Sequence, residues 1–361
     1  MPRTDLPEVP GVLSGADIAS TGRSIAAVQQ SSGAIPWFTG GHVDPWDHVE
    51  SAMAMAVAGL VDEADRAYEW LRGTQRHDGS WPMQVRDGVV EDSSADTNFC
   101  AYPAVGVWHH VLLTGDDAFA ARMWPVVRAA VDFVLSAQRE RGEIDWAVNL
   151  RGDLAGEALL SGCSSIHHGV RCALALADHV GASQPDWEIA LGKLAHVLQS
   201  HPEAFTEKTR YSMDWYYPVL GGALRGEPAE RRIADRWSDF VVDGLGARCV
   251  DDHPWVTGAE TCELVLSLDA IGADGPAADL LAAMQHLRDA DGSYWTGYVY
   301  ADECRWPEER STWTAGAVVL AADALSRTTP ANGIFRGADL PTGMAVSGGA
   351  CCGTLHNTPR G

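Results

Sequence analysis

Long apolar stretches alternate with amphipathic stretches along most of this 361-residue chain. In six of the apolar stretches, Ala, Leu, Val and Gly cover nearly every helical face, which is typical of buried helices. Their starts are about 45–60 residues apart, the size of a helical hairpin with its loops. The six stretches begin near Trp46, Asn98, Glu157, Met213, Thr257 and Thr312.

Between them the sequence predicts amphipathic helices, with apolar residues three and four positions apart and charges on the opposite face. These helices cover roughly residues 16–30, 62–74, 117–138, 186–200, 228–241 and 276–289. Six buried helices alternating with six amphipathic ones predict an all-α fold, the (α/α)6 barrel, whose inner ring lines a central funnel. Weak strand signals add a short β-hairpin around 81–92, with a tight turn at Asp87-Gly88, and an extended piece at 292–300.

No linker divides the chain, so we expect one barrel domain over residues 1–335. Residues 336–361 are rich in Gly, Pro and Thr. That composition is typical of a coil tail packed on a barrel. The barrel domain is therefore expected to carry the chemistry.

The net charge of −23 and the pI near 4.8 change the list of expected partners. An acidic surface repels phosphate backbones and anionic lipids, so we expect neither nucleic acid nor a membrane as partner. A neutral oligo- or polysaccharide is not repelled. The polar, Pro-rich N-terminal residues and the absence of long apolar runs predict a cytoplasmic protein.

The eight cysteines are scattered, without the spacing of a zinc site. Several lie in apolar helical stretches, where a free cysteine behaves as a small hydrophobic residue. No cofactor and no metal is implied, although acids at a barrel mouth could hold Ca²⁺. The sequence does not indicate an oligomeric state.

Two inner-helix starts carry acids at equivalent positions, at the end of the barrel where a ligand is expected. In the first, a proline at the first helical position predicts Asp44 as N-cap and Asp47 as third residue. In the fifth, Thr257 is the predicted N-cap and Glu260 the third residue. Acids in a first turn are often caps favoured by the helix dipole. Because these helices are otherwise buried, we predict Asp47 and Glu260 as a catalytic pair, with Asp44 and Glu263 in reserve.

Polar and aromatic residues near the inner-helix starts are predicted to bind sugar hydroxyls and to stack on pyranose rings. Trp313 also suits a core position, and His109 and His168 suit hydrogen-bonded polar residues better than metal ligands. The predicted substrate-binding set is Trp37, Trp46, Asp96, Asn98, Tyr102, His109, His167, His168, Asp214, Trp215, Tyr216, Trp255, Trp306 and Trp313.

Paired carboxyl groups suit glycoside hydrolysis, which needs an acid for the leaving oxygen and a base or nucleophile on the other face of the ring. A gap of about 6.5–9.5 Å leaves room for a water and gives inversion, whereas about 5 Å gives retention. Acids on two helices across a funnel favour the wider gap. We expect Glu260 as acid and Asp47 as base, although a helix N-terminus lowers and burial raises a carboxyl pKa.

Several segments resemble a set of actinobacterial proteins often labelled prenyltransferase-like, and among them the mycobacterial methylmannose polysaccharide hydrolases. The segments are PWFTGGHVDPWDHVESAMA, DGSWP, DTNFCAYPAVGVWHHVLLTGD, SGCSSIHHGVRCALALAD and WVTGAETCELVLSL. The resemblance implies an (α/α)6 fold and endo-acting hydrolysis of α-1,4-linked 3-O-methylmannose chains, in the recycling of that cytoplasmic polysaccharide. It also implies an acid pair where Asp47 and Glu260 lie, with Glu263 as the second choice in TGAETCEL.

Other classes stay open at this point. QRHDGSWP and LRDADGSYW resemble the Gln/Trp repeats of squalene-type terpene cyclases, but no DxDD or DDxxD motif accompanies them, and such repeats also tie helix ends together. A glucoamylase-like hydrolase, a lyase or an epimerase could use the same fold, although a lyase needs basic residues for uronates. A non-catalytic glycan-binding barrel would keep the aromatic residues without needing the paired acids.

Overall fold

The computed structural model describes residues 5–344. Its helices are α1 Gly15–Val28, α2 Pro45–Val57, α3 Val61–Thr74, α4 Thr97–Ala101, α5 Pro103–Thr114, α6 Asp117–Ser136, α7 Leu160–His179, α8 Pro185–Ser200, α9 Ser212–Leu220, α10 Glu227–Asp235, α11 Trp237–Phe240, α12 Gly258–Ala270, α13 Asp274–Ala283 and α14 Thr312–Ser326. Short 3-10 helices cover Pro202–Ala204 and Met284–Leu287. The strands are β1 Gln84–Arg86, β2 Val89–Asp92, β3 Ala95–Asp96, β4 Ala147–Val148, β5 Val241–Val242, β6 Gly246–Arg248, β7 Trp255–Thr257, β8 Gly297–Val299 and β9 Cys304–Arg305.

Within the described residues, the helices form two concentric rings. The inner ring consists of α2, α4 with α5, α7, α9, α12 and α14; each packs on the next, and α14 packs on α2 to close the ring. The outer ring consists of α1, α3, α6, α8, α10 and α13, each packed on an inner helix. This arrangement confirms the predicted (α/α)6 barrel.

The residue pattern explains which helix goes to which ring. Every residue of α2 is buried, as expected for a helix that is apolar on most faces. The outer helix α3 buries only Ala64, Ala67, Tyr68 and Leu71, which are spaced three and four apart. One stripe of apolar residues is enough to hold an outer helix against the inner ring.

Glycines allow neighbouring inner helices to approach closely. A Cβ atom on Gly106 of α5 would lie 2.3 Å from Val49 Cγ1 of α2. A Cβ atom on Gly221, at the end of α9, would lie 2.0 Å from the Ser164 carbonyl oxygen of α7. Both distances are too short for any side chain, so these positions fix the spacing of the inner ring.

A glutamine followed four residues later by a glycine recurs where outer helices end. The pairs are Gln29–Gly33, Gln75–Gly79 and Gln138–Gly142, and each glycine has a positive φ. In each pair the glutamine amide donates to the carbonyl of its glycine and to a carbonyl of the next outer helix, as Gln75 does to Val126 at 2.9 Å. The repeats therefore tie helix ends together, as the sequence analysis proposed beside the cyclase interpretation.

The structure contains more β-strands than the sequence predicts. The hairpin of β1 and β2 is confirmed, and positive φ angles at Asp87 and Gly88 suit a type I′ turn. In addition, β5 to β9 form an antiparallel sheet in chain order at the barrel mouth. Strands of two or three residues are too short to show an alternating pattern, and only β8 falls in the predicted extended piece. Strand β7 runs directly into α12 and so fixes the start of that helix.

Two inner helices differ from their predicted starts or courses. The third begins at Leu160, which leaves Glu157 exposed in the preceding loop. The second is divided into α4 and α5 at Tyr102, because Pro103 has no N–H with which to continue the helical hydrogen bonds. Neither change moves the helix out of the inner ring.

The last described residues pack on the base of the barrel, at the end opposite the mouth. Residues 336–344 form coil, and Leu340 is buried there. The rest of the predicted tail, including Cys351 and Cys352, lies outside the described residues. In the part of the chain that the structure describes, no helix is long and apolar enough to cross a membrane.

Candidate active site

Two pairs of acids face each other at the barrel mouth. Asp47 and Glu50 are the third and sixth residues of α2, and Glu260 and Glu263 are the third and sixth residues of α12. Helix α14 lies between α2 and α12 in the ring. Together with the N-cap Asp44, these residues form a group that we call the acid cluster.

Burial increases with depth in the cluster. The exposed fractions are 7% for Asp47 and 5% for Glu260, against 2% for Glu50 and 1% for Glu263. The latter two lie one helical turn further from the mouth. Asp47 and Glu260 are therefore the most exposed members of the cluster, whereas the N-cap Asp44 is 3% exposed.

Asp44 and Asp47 form a carboxyl pair at the start of α2. Asp44 is the N-cap, as predicted, and its Oδ1 accepts a hydrogen bond from the Asp47 amide at 2.9 Å. Burial raises the pKa of Asp47 well above its ordinary value, and the carboxyl groups of Asp44, Glu50 and Glu263 raise it further. These influences all favour the protonated form of Asp47.

Glu50 is a member of the site that the sequence analysis missed. Its Oε2 accepts a hydrogen bond from the Tyr102 hydroxyl at 2.9 Å, and its Oε1 has no partner among residues 5–344. Burial raises the pKa of Glu50 to about 8, which the Tyr102 hydrogen bond only partly opposes. Its spacing of three residues from Asp47, repeated by Glu260 and Glu263, was the signal that could have identified it.

Glu263 is held by two tyrosines from α9. The Tyr216 hydroxyl donates to Oε2 through a short hydrogen bond, and the Tyr217 hydroxyl donates to Oε1 at 2.8 Å. Burial raises the pKa of Glu263 well above its ordinary value, with a further contribution from the Glu50 carboxyl group. Both carboxyl oxygens accept hydrogen bonds, so the Glu263 side chain is held in one orientation in the site.

Glu260 lies in a more polar environment at the mouth. Burial raises its pKa, whereas the Thr257 hydroxyl, its own backbone amide and the Cys249 thiol oppose that shift. No carboxyl neighbour contributes to raising it. Of Asp47 and Glu260, Glu260 is therefore the more readily ionised.

Four aromatic side chains, which we call the aromatic row, run beside the acid cluster. Trp37 contacts Trp313 at 5.5 Å between ring centroids, Trp313 contacts the edge of Trp46 at 6.0 Å, and Trp46 stacks on Tyr102 at 4.2 Å. The indole nitrogens of Trp46 and Trp313 are buried and have no hydrogen-bond partner among the described residues. Trp37 donates its indole N–H to Glu309. The row offers apolar faces and free donors next to the acids.

A small cavity of about 10 Å³ continues below the acids. Glu50, Glu263, Tyr217 and His168 line it, and Phe335 from the C-terminal segment closes it by stacking on His168 at 5.3 Å between ring centroids. Burial lowers the pKa of His168 well below its ordinary value, so its ring is neutral. The funnel is thus closed at its base. A larger open groove lies outside the ring, between α1 and the loop before α14, but none of the acid cluster lines it.

Two other predicted residues lie near the start of α4. Asp96 is the N-cap and accepts hydrogen bonds from the amides of Asn98 and Phe99 at 2.8 and 3.1 Å. Burial raises the pKa of Asp96 to about 7, and Asp44 is among the charges that act on it. The side-chain oxygen of Asn98 is buried without a partner among residues 5–344.

Trp255 and Trp306 pack edge to face at 5.0 Å on the sheet that borders the mouth.

Four residues of the predicted substrate-binding set are not brought to the acids. Trp215 turns outward, where its indole donates to the Arg232 carbonyl and stacks on Phe240. Asp214 is bonded to Ser161 and so joins α9 to α7. The remaining two are histidines: His167 contacts the Gly221 carbonyl oxygen at 2.8 Å, and His109 is buried in the middle of α5, outside the residues that line the cavity. Nearness to a helix start in the sequence does not show whether a side chain points into the funnel or towards a neighbouring helix.

Comparison with known proteins shows to which family the chain belongs. No protein-family model matches the chain. The chain is 63% identical over 357 residues to "MMP endo-(1,4)-3-O-methyl-alpha-D-mannosidase" of Mycolicibacterium hassiacum, an alignment that covers 98% of this chain and 99% of that protein.

Solved structures share the fold at much lower identity. A wild-type glycosidase is 17% identical with a TM-score of 0.64, covering 89% of this chain and 98% of that chain. A D-mannose isomerase is 9% identical with a TM-score of 0.63, covering 85% and 96%. An alpha-amylase from Clostridium perfringens is 10% identical with a TM-score of 0.58, covering 87% and 99%. These structures support the fold alone, whereas the relative's identity and near-complete coverage decide the family. The chain is a glycoside hydrolase that belongs to the family of MMP endo-(1,4)-3-O-methyl-alpha-D-mannosidases.

Proposed function

We propose that this enzyme hydrolyses internal α-1,4 bonds of 3-O-methylmannose polysaccharide, with Asp47 as general acid and Glu260 as general base. One observation carries the assignment of the pair. The two carboxyl groups occupy the same position on two inner helices that α14 separates, and they are the most exposed members of the acid cluster. The printed name of the 63% identical relative supports the substrate.

The local charges support these roles, which reverse the sequence-based expectation. Three carboxyl groups around Asp47 disfavour its ionised form, so it retains the proton that a general acid must donate. Glu260 has hydrogen-bond donors around it and can accept a proton. Environments that push two carboxyl pKa values apart are a common basis for acid and base assignments.

The reaction follows from these states. Asp47 gives its proton to the glycosidic oxygen as the bond from that oxygen to the anomeric carbon breaks. A water attacks the anomeric carbon from the opposite face, and Glu260 takes a proton from that water. The product has the inverted anomeric configuration, because separated carboxyl groups leave room for the water. Asp47 ends ionised and Glu260 protonated, and proton exchange with solvent restores both.

The aromatic row supports a methylated sugar as substrate. O-methyl groups give a mannose ring additional apolar surface, which suits the faces of Trp37, Trp46 and Trp313. Two buried polar atoms of the row, the indole nitrogens of Trp46 and Trp313, have no partner among residues 5–344. Such atoms are rare in folded proteins unless a ligand or water satisfies them, and sugar hydroxyls would do so.

Product analysis tests this function. The purified enzyme is incubated with α-1,4-mannan oligomers with and without 3-O-methyl groups; chain lengths are followed by mass spectrometry and the first-formed anomer by NMR. We expect internal cleavage of the methylated oligomers and a β-anomer as first product. Cleavage from one chain end only, or a first-formed α-anomer, would contradict the endo action or the inversion respectively.

A cytoplasmic location is part of the proposal. The six cysteines in the described part of the chain are all free, and four of them are buried. Unpaired thiols are common where the compartment is reducing, whereas oxidising compartments favour disulfides. Fractionation of the native cells tests the location.

A further inference from the structure

A pocket at the base of the barrel is lined by arginines and by no acid. It has a volume of about 510 Å³ and opens between α7, α8, the loop after α9 and the C-terminal segment. We call it the basal pocket; its lining includes His167, Arg171, Ala195, Gln199, Gly222, Arg225, Arg336 and Gly337. In a chain with 49 acidic and 26 basic residues, a pocket without a carboxylate is unexpected.

Arg171 is the most buried of these arginines, with 6% of its surface exposed. Its Nε and Nη2 donate to backbone carbonyls of the C-terminal segment, at Gly337, Leu340 and Pro341. Its Nη1 has no acceptor among the described residues and borders Gly222, where a Cβ atom would lie 2.5 Å away. Holding the C-terminal segment therefore uses the Nε and Nη2 atoms of the Arg171 guanidinium group but not Nη1.

Arg225 lies beside Arg171 and lacks an acidic partner as well. A Cβ atom on Gly222 would lie 3.1 Å from Arg225 Nη2, so both guanidinium groups border the same glycine. Burial and the charge of Arg171 lower the pKa of Arg225 to about 10. No carboxylate among residues 5–344 lies within ion-pair distance of either group, whereas Arg336 is paired with Asp269 at 2.7 Å. The two guanidinium groups thus lie side by side with backbone carbonyls as acceptors, since Arg225 donates to Val219, Leu224, Phe335 and Arg336, and with no carboxylate to balance their charge.

We propose that the basal pocket binds a small oxyanion of the phosphate class, held by Arg171 and Arg225. Guanidinium groups match the geometry of phosphate oxygens and bind them through charge-assisted hydrogen bonds. Such an anion accepts from Arg171 Nη1 and cancels the repulsion between the two arginines. The neutral polysaccharide has no use for this charge, so the pocket serves a ligand other than the substrate.

The basal pocket lies at the end of the barrel opposite the acid cluster, so it is separate from the acid cluster. Both arginines also hold carbonyls of the segment that carries Phe335, since Arg225 donates to the Phe335 carbonyl oxygen at 2.8 Å. Binding of the anion therefore stiffens the segment that closes the base of the funnel. Stabilisation of the folded protein by ligand follows from mass action.

Substitutions at Ala195 test the site without removing either arginine. Ala195 lines the basal pocket from α8. Ala195→Glu places a carboxylate in the pocket, and Ala195→Gln is the uncharged control of the same size. Melting temperatures are measured with increasing inorganic phosphate and with sodium chloride at matched ionic strength, and calorimetry measures phosphate binding.

We expect phosphate to raise the melting temperature saturably in the wild type and in Ala195→Gln beyond the effect of chloride. Ala195→Glu should melt higher than Ala195→Gln without phosphate and show no phosphate-specific shift. No phosphate-specific shift in the wild type would overturn the proposal. An equal shift in Ala195→Glu would also overturn it, because the anion would then bind elsewhere.

Discussion

At the scale of single residues, the protonation of Asp47 depends on the carboxyl group beside it. After burial, the charge of Asp44 is the largest influence that raises the pKa of Asp47. Asparagine is as good an N-cap as aspartate, so Asp44→Asn keeps the start of α2 while it removes the charge. The substitution therefore separates the electrostatic effect of Asp44 from its structural one.

We expect Asp44→Asn to lower the pKa of Asp47. If Asp47 is the general acid, the alkaline limb of kcat against pH then moves to lower pH, because Asp47 loses its proton earlier. The pH profile of oligomer cleavage checks this, and the unfolding midpoint controls for the cap. An alkaline limb that stays in place would remove Asp47 from the acid role.

Glu50 gives a prediction on stability. Its pKa is about 8 in the folded protein against an ordinary value of 4.5. Between these values the folded state holds a proton that the unfolded chain has released, so this contribution to stability falls as pH rises. Glu50→Gln has no such titration. The stability of the wild type relative to the variant should fall from about pH 5 to about pH 8, by at most about 1.4 kcal/mol per pH unit.

Urea unfolding of the wild type and of Glu50→Gln at both pH values measures this difference. Glu69→Gln, an exposed position on α3, is not a suitable control because Glu69 pairs with two arginines. Asp62→Asn on the same outer helix is the better control. Parallel pH dependence of wild type and Glu50→Gln would mean that Glu50 is ionised in the folded protein.

The most exposed acids of the cluster were predictable from sequence, whereas their deeper partners were only partly so. Asp47 and Glu260 stand at third helical positions after recognisable caps. Glu50 repeats the three-residue spacing of Glu260 and Glu263, but that spacing does not show which groups surround its side chain. Its role depends on Tyr102 and Glu263, which are brought to it only by closure of the ring.

At the scale of elements, α9 and α12 are joined through Glu263. Tyr217→Phe removes one donor to the buried carboxyl group and leaves the ring in place. We expect a loss of about 1–3 kcal/mol in the free energy of unfolding, because a buried acceptor is left unsatisfied. Denaturant unfolding measures it, with Tyr211→Phe, at an exposed ring, as control. Equal stability of Tyr217→Phe and wild type would show that the hydrogen bond contributes nothing.

Close packing of α7 and α9 gives a second element-scale prediction. Gly221→Ala should destabilise the fold by at least about 1–3 kcal/mol, since its Cβ would meet the Ser164 carbonyl oxygen. Gly73→Ala is the matched control, because its Cβ would meet nothing within 4 Å and alanine is the better helix former. Gly73→Ala should stabilise slightly, and thermal unfolding compares the two. A neutral Gly221→Ala would contradict the packing.

The helices were predictable because their patterns repeat over ten residues or more. The mouth sheet was not, because its strands have two or three residues and pair only after the helices have positioned them. The sequence also does not show which way each side chain at a helix start points. Trp215 and Tyr216 are neighbours in sequence, yet one packs outward and the other bonds to Glu263.

At the scale of the whole molecule, the fold combines a closed ring with one accessible end. The inner helices start at the mouth, so the acids at their first turns converge there. The C-terminal segment closes the base through Phe335. That closure was not predictable, because the Gly- and Pro-rich composition indicates coil but not where the coil packs.

The central claim is that Asp47 and Glu260 act as acid and base in one hydrolysis, and a substrate with an activated leaving group tests it most directly. Wild type, Asp47→Asn, Glu260→Gln and the control Asp62→Asn are compared on a methylmannose oligomer and on its dinitrophenyl glycoside, whose leaving group needs no protonation. We predict that Asp62→Asn behaves as wild type and that both catalytic variants lose at least about 100-fold in kcat on the oligomer. Asp47→Asn alone should recover activity on the dinitrophenyl glycoside. Full activity of either variant on the oligomer, or recovery in Glu260→Gln instead, would contradict the account.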